Sequence, residues 1–179
     1  ALLRARIDAV PRVLHEVRDA HVEVPALTRE GSFVVTGVGA SEGPARILAA
    51  RLCRAHGRRA AFVPLSSFAR GAPAYPADTL VVFSQGLSPN ARMALARAGD
   101  YARSVLFTSA REAPGEPSIE RCFAGLRAAG TQIVSVPPAD ENGTLVRIVG
   151  PAAATFAASM ALAPLEDESV CDALDAVPT

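Results

Sequence analysis

Two short stretches of this chain place glycines and small polar side chains where a buried strand hands over to a helix. The first is Gly37-Val38-Gly39-Ala40-Ser41, and the second is Ser84-Gln85-Gly86-Leu87-Ser88-Pro89-Asn90. Glycines permit positive φ and let backbone N–H groups close on an anion. A helix entrance attracts anions through its free N–H groups and its macrodipole. In the first stretch Gly37 and Gly39 supply that freedom, and Ser41 stands at a helix entrance as a cap or a ligand donor. In the second, Ser84 ends the strand, Gln85 and Gly86 expose amides, and Ser88 and Asn90 stand where the helix starts. Hydroxyls and amides with no cation in the loop itself suit a phosphate bound by neutral donors. Each stretch also has a plainer account: a glycine turn for one, and for the other Ser88 as N-cap with Pro89 at the first helical position. Ser88 can serve both purposes, because a cap hydroxyl and a ligand donor occupy the same place.

Other chemistries find less support. A dinucleotide fingerprint would put its third glycine at Glu42 and an acid after the second strand, where AAFVPLS has none, so no cofactor is expected. All 18 basic residues are arginine and the formal net charge is zero. Schiff-base lysine chemistry is therefore excluded in this chain, and the scattered arginines give no footprint for nucleic acid. Cys53, Cys122 and Cys171 are widely spaced, and His15, His21 and His56 form no ligand pattern, so no metal is expected. Cys53 falls at the spacing of a buried helix face. His56 stands near a helix end, where it would partner the C-terminal dipole. No apolar run approaches the ~18–20 residues a membrane span needs. ALLRARIDAVPRVLHEVRDA reads as an amphipathic helix of a cytoplasmic protein.

The elements that must position the two loops alternate strand and helix. Strands are expected at 32–40, 59–65, 79–84, 104–109 and 131–137, and helices at 42–56, 88–98, 118–129 and 151–163. Ser118 is read as an N-cap and Pro151 as a first helical residue. LVRIVG (145–150) fits either a sixth strand or a helix, and PADENGT a turn. Such alternation implies a mostly parallel five-stranded sheet covered on both faces, an α/β sandwich of three layers. Ligands of such sheets sit beyond the carboxyl ends of the strands, here at loops 37–43, 65–76, 84–90 and 109–117.

Taken together, GVGAS at 37–41, SQGLS at 84–88 and a fourth strand ending in Thr108 and Ser109 resemble the SIS (sugar isomerase) domain family. Its pattern is strand, G-x-G-x-S, helix, strand, loop, strand, S-x-S-G-x-T, helix, strand ending in Thr. The resemblance covers about residues 31–110 and implies an SIS-type fold, similar to flavodoxin and Rossmann sheets. It implies that Ser41, Ser84, Gln85 and Ser88 bind the phosphate or nearby hydroxyls of a sugar phosphate. Gly37, Gly39, Gly86 and Asn90 complete the expected site. The second run is one residue short of the family motif: it keeps Ser84, Gln85 and Gly86, loses a serine, and has Ser88 in place of the threonine. The ligand is therefore left open among sugar phosphates, sugar acids and unphosphorylated sugar derivatives.

DAVP occurs at 8–11 and again at 175–178. Two-domain sugar isomerases carry a proline-containing helix before each SIS domain, so the resemblance implies a first SIS domain (31–165). A helical arm (1–30) precedes it, and a linker or the start of a second repeat (166–179) follows. In such relatives the catalytic base lies in the second domain, and no catalytic residue is assigned in this chain. Glu42 reads as a helix-dipole partner, and Glu112, Glu116, Asp140 and Glu141 as solvated loop acids, Glu141 being the first to test. The expectation is one SIS domain of a sugar-phosphate or aminosugar isomerase, pairing as a homodimer or with a second SIS domain. The alternatives are a non-catalytic sugar-phosphate sensor and a scaffold that only dimerises.

Overall fold

A computed structural model describes residues 2–20, 22–69, 75–112, 116–137, 141 and 147–176. His21, residues 138–140 and 142–144 of the expected turn, Leu145, Val146 and Val177 and Pro178 of the second DAVP lie outside the described residues. The chain begins with α1 (Leu2–Asp19) and a short α2 (Pro25–Thr28), followed by β1 (Ser32–Gly37), α3 (Glu42–Arg54), β2 (Arg59–Phe62), β3 (Thr79–Phe83) and α4 (Pro89–Leu95). Then come β4 (Arg103–Thr108), α5 (Pro117–Ala128), β5 (Gln132–Ser135), α6 (Val149–Met160) and α7 (Glu168–Asp175). The five strands form one sheet in the order β2-β1-β3-β4-β5, every pair parallel. The order reverses between β1 and β3, which is where such sheets open a crevice for ligands.

The strands are near-continuous apolar runs because both faces are covered. Phe33, Val35, Val81, Phe83, Val105 and Phe107 point to one face and pack with α1, α3 and α6. Val34, Leu80, Val82 and Leu106 point to the other and pack with α4 and α5. Phe83 and Phe107 stack with ring centroids 4.7 Å apart, tying β3 to β4 next to the loops of interest. The first helix joins this core directly through Val13 and Val17. No described helix is long and apolar enough to cross a membrane.

Several boundaries differ from the sequence expectations. Pairing in β2 stops at Phe62, although Val63 N still donates to Val35 O at 2.9 Å, and Leu65–Phe68 then turns tightly behind Pro64. The helix expected at 88–98 closes after Leu95 and gives way to a tight turn at Ala98–Asp100. Ser118 lies inside α5, which starts at Pro117 with Glu116 at the cap position, because proline's fixed φ suits a first helical residue. Pro151 is the third residue of α6, not the first. Arg147 and Ile148 lead into that helix and Val149 and Gly150 open it, so the described part of 145–150 is not a strand. Cys53 is exposed, since α3 buries Ala45, Leu48, Ala49 and Leu52, and the next residue turns ~100° off that stripe. His56 faces Glu166, with Nε2 3.2 Å from Oε1, on a carboxylate that Arg51 also pairs.

Candidate functional site

Strand register brings the two predicted loops together. Gly37 pairs with Phe83, and Phe83 with Phe107, so the chain leaves β1, β3 and β4 at adjacent points along the carboxyl edge. The glycines of the first loop have separate reasons. A Cβ on Gly37 would lie 2.4 Å from the Ser41 carbonyl oxygen, so only glycine lets the turn fold back so closely. Gly39 has open space around it but a φ of +59°, a conformation most side chains resist. Residues Gly39–Ser41 form a tight turn that runs into α3. Ser41 is buried at that entrance, and its side chain makes no capping bond. Glu42 opens α3 and accepts from Arg46 Nε at 2.7 Å, on the helix-dipole side its sequence position implies.

The second loop is built differently. Its left-handed residue is Leu87, at φ 49° and fully buried, a conformation uncommon for a branched side chain. The Leu87 carbonyl is held by Arg92 Nε at 2.7 Å, so a cation from α4 fixes the turn through its backbone. Ser88 caps α4, its Oγ accepting from Ala91 N at 3.3 Å, and Pro89 follows at the first helical position. Ser84 and Gln85 are buried, Gly86 and Ser88 are half-buried, and Asn90 is exposed. Asn90 and Gly37 line a cleft of about 430 Å³ with Val38, Glu42, Arg46 and Phe62, the Arg46 guanidinium lying 4.1 Å over the Phe62 ring. This cleft stands at the reversal of strand order.

Gln85 is the structural hub. Its carbonyl oxygen accepts from Ser109 N at 3.1 Å and from Thr108 Oγ1 at 3.2 Å. Its side-chain Oε1 accepts from Arg147 Nη1 at 3.0 Å. Its Nε2 is buried with no hydrogen-bond partner among the described residues, as are the Thr36 and Ser109 hydroxyls at the ends of β1 and β4. The amide presses on the first turn of α6: a Cβ on Gly150 would fall 1.6 Å from Nε2. The sequence pattern singled out Gln85 and the ends of β4, but Arg147 and Gly150 were hidden in a segment that reads equally as strand or helix. A glycine just before a helical proline was the available signal for a close approach.

Glu141 corrects the sequence reading most sharply. It is 4% exposed rather than solvated. Its Oε1 accepts from Ile148 N at 2.9 Å and Val149 N at 3.2 Å, and its Oε2 from Gly150 N at 2.7 Å. Arg6 of α1 stands 3.9 Å from Oε1. The carboxylate thus satisfies the orphan donors that start α6, which explains why the helix begins ahead of Pro151. Glu112, exposed as expected, is paired bidentately with Arg127, and that guanidinium holds its carboxyl below the ordinary carboxylate value. No cluster of metal-ligating side chains occurs among the described residues.

The sheet order, the switch-point cleft and the hydroxyl-rich strand ends define an α/β domain with the SIS-type fold, and solved structures share it. A protein from Silicibacter pomeroyi assigned as a phosphosugar isomerase superposes with a TM-score of 0.70 at 17% identity, over 96% of this chain and 53% of that one. Tagatose-6-phosphate ketose/aldose isomerase from Escherichia coli gives 0.65 at 17% identity, over 96% of this chain and 50% of that one. The C-terminal domain of glucosamine-fructose-6-phosphate aminotransferase from Francisella tularensis gives 0.64 at 11%, over 96% and 51%. The chain spans about half the length of each. No protein-family model matches the sequence, and no curated protein matches it.

Proposed function

We propose that this chain is a sugar-phosphate-binding SIS domain of the isomerase type, taking its ligand at the carboxyl ends of β1, β3 and β4. The observation that carries this reading is the convergence of Gly37, Ser41, Ser84, Gln85 and Ser88 on one edge of the sheet. There, three buried polar groups also find no partner among the described residues. A phosphate or sugar hydroxyl meets such groups with the bonds they lack. The structural neighbours named for phosphosugars support the same class. By this reading the domain works in the cytoplasm as a homodimer or beside a second SIS domain, with Asp8–Pro11 and Asp175–Pro178 marking the repeat. Any proton-transfer base then comes from outside the described residues of this chain.

Glu141 favours a second reading, a non-catalytic sensor. Three backbone N–H groups engage its carboxylate oxygens, whereas a general base must offer a lone pair to a substrate proton. Thermal-shift measurements with hexose, pentose and aminosugar phosphates test binding itself. At least one compound is expected to raise the melting temperature, and Ser84→Ala to abolish the rise. If no sugar phosphate shifts the wild type, the binding reading fails. Deuterium exchange at C1 of a bound ketose phosphate then separates enzyme from sensor.

A further inference from the structure

We propose that Arg147 and Ser109 complete the anion-binding end of this site, so that a guanidinium joins the neutral donors of the shortened 84–88 turn in holding the ligand's oxyanion. The inference rests on the sugar-phosphate reading above and adds the residues that select the ligand's charged group. Set against the S-x-S-G-x-T pattern, the turn lacks one hydroxyl and contains no cation. The fold brings a further hydroxyl and a guanidinium to this turn from elsewhere in the chain. Arg147, 62 positions beyond Gln85, is brought to 3.0 Å from its side-chain oxygen. Ser109 is 4% exposed, donates its N–H to the Gln85 carbonyl, and has a hydroxyl with no partner among the described residues.

Gln85 is a rigid post for this guanidinium. Thr108 and Ser109 fix its backbone, Gly150 confines its amide, and the residue is 6% exposed. An arginine seated on a fixed acceptor loses little freedom when it meets an oxyanion, and its planar fork matches phosphate or carboxylate oxygens. The Glu141 carboxylate is close by, but the α6 N–H groups and Arg6 offset its charge. The shared ligand chemistry is an oxyanion carried on a sugar, either a phosphate monoester or a sugar carboxylate.

Calorimetric titration of fructose 6-phosphate and gluconate into wild type, Arg147→Gln, Arg147→Lys, Ser109→Ala and Ser84→Ala decides the matter. Arg147→Gln is expected to weaken the responding ligand about tenfold or more and to flatten its dependence on salt. Arg147→Lys, which keeps the charge without the fork, is expected to fall between the two, and Ser109→Ala to lose a few-fold. A response to gluconate rather than to the phosphate assigns the carboxylate as the source. Wild-type affinity and salt dependence in Arg147→Gln, with binding lost in Ser84→Ala, overturns this inference and leaves the function standing. A wild type that binds neither compound, nor any sugar phosphate in the thermal screen, removes both. Should Arg147→Gln fail to fold, Arg147→Lys carries the test, and unchanged affinity and salt dependence together with unchanged Ser109→Ala binding overturn the proposal.

Discussion

The two ends of the sheet treat their polar groups in opposite ways. At the amino end Asp78 accepts from both the backbone N and the hydroxyl of Ser32, each at 2.7 Å, and Asp78 N donates back to Ser32 Oγ at 3.1 Å. Arg103 bonds Thr79 Oγ1 and the Glu30 carbonyl, and the Ser104 and Thr131 hydroxyls lie 2.8 Å apart. At the carboxyl end the Thr36 and Ser109 hydroxyls and Gln85 Nε2 are buried without a hydrogen-bond partner among the described residues. Near the amino end Arg58 Nε has no hydrogen-bond partner among the described residues, but Arg58 is ion-paired with Glu30. Reciprocal bonding at one end holds strands in register, and unmet bonding capacity at the other is what the proposed ligand would use. One edge is locally satisfied and stabilises the fold, and the other departs from local satisfaction where the proposed site lies.

The largest effect that sharpens this contrast comes from the loop glycines. Gly37→Ala drives a Cβ against the Ser41 backbone oxygen, which cannot move aside cheaply, and is expected to cost about 1–3 kcal/mol and the ligand response. Gly39→Ala meets no atom within 4 Å and carries only its conformational strain, about 1–2 kcal/mol. Chemical denaturation of both variants checks the order, and an equal or reversed pair breaks the account of that turn.

Next come the hydroxyls at the two ends. Ser32→Ala removes two bonds from Asp78 and is expected to lower the melting temperature by several degrees, with ligand binding intact. Ser109→Ala removes an orphan, so its stability should stay within about 0.5 kcal/mol of wild type while ligand binding weakens. If Ser109→Ala is the more destabilising of the two, the division between the ends does not hold.

The smallest effect is that of pH on the amino-end lock. Ser32's hydroxyl and N–H, helped by Arg103, hold the Asp78 carboxyl below its ordinary value of 3.8. A carboxyl depressed on folding stabilises above its unfolded value and loses that contribution as pH falls through the folded one. Asp78→Asn should therefore be less stable than wild type at pH 6, with the gap closing below about pH 4. Melting curves across that range check it, and a gap that widens in acid contradicts it.

The sequence made the strand ends legible because glycine, serine and proline punctuate a run of apolar strands, and the order of those signals carries the topology. Gly37, Gly39 and Ser88 do there what their types imply. What was not legible depends on contacts far apart in the chain. Glu141 reads as one more loop acid until α6 offers it three N–H groups. Arg147 reads as a strand or helix position until Gln85 receives it. Leu87 gave no signal at all, since its left-handed conformation is imposed by burial and by Arg92 rather than by its own preference. Cys53 was placed one position off the buried stripe because a short helix tolerates either reading of its face.

The central claim is that the carboxyl edge at β1, β3 and β4 takes a sugar phosphate. A crystal structure grown with the sugar phosphate that gives the largest thermal shift tests it most directly. The account predicts the phosphate within hydrogen-bonding distance of Ser84, Ser88 or Arg147, with the sugar extending into the cleft beside Gly37 and Asn90. Density for the compound elsewhere, for example in the cavity of about 630 Å³ lined by Arg18, Val24 and Met160, with the carboxyl edge unchanged, would contradict it.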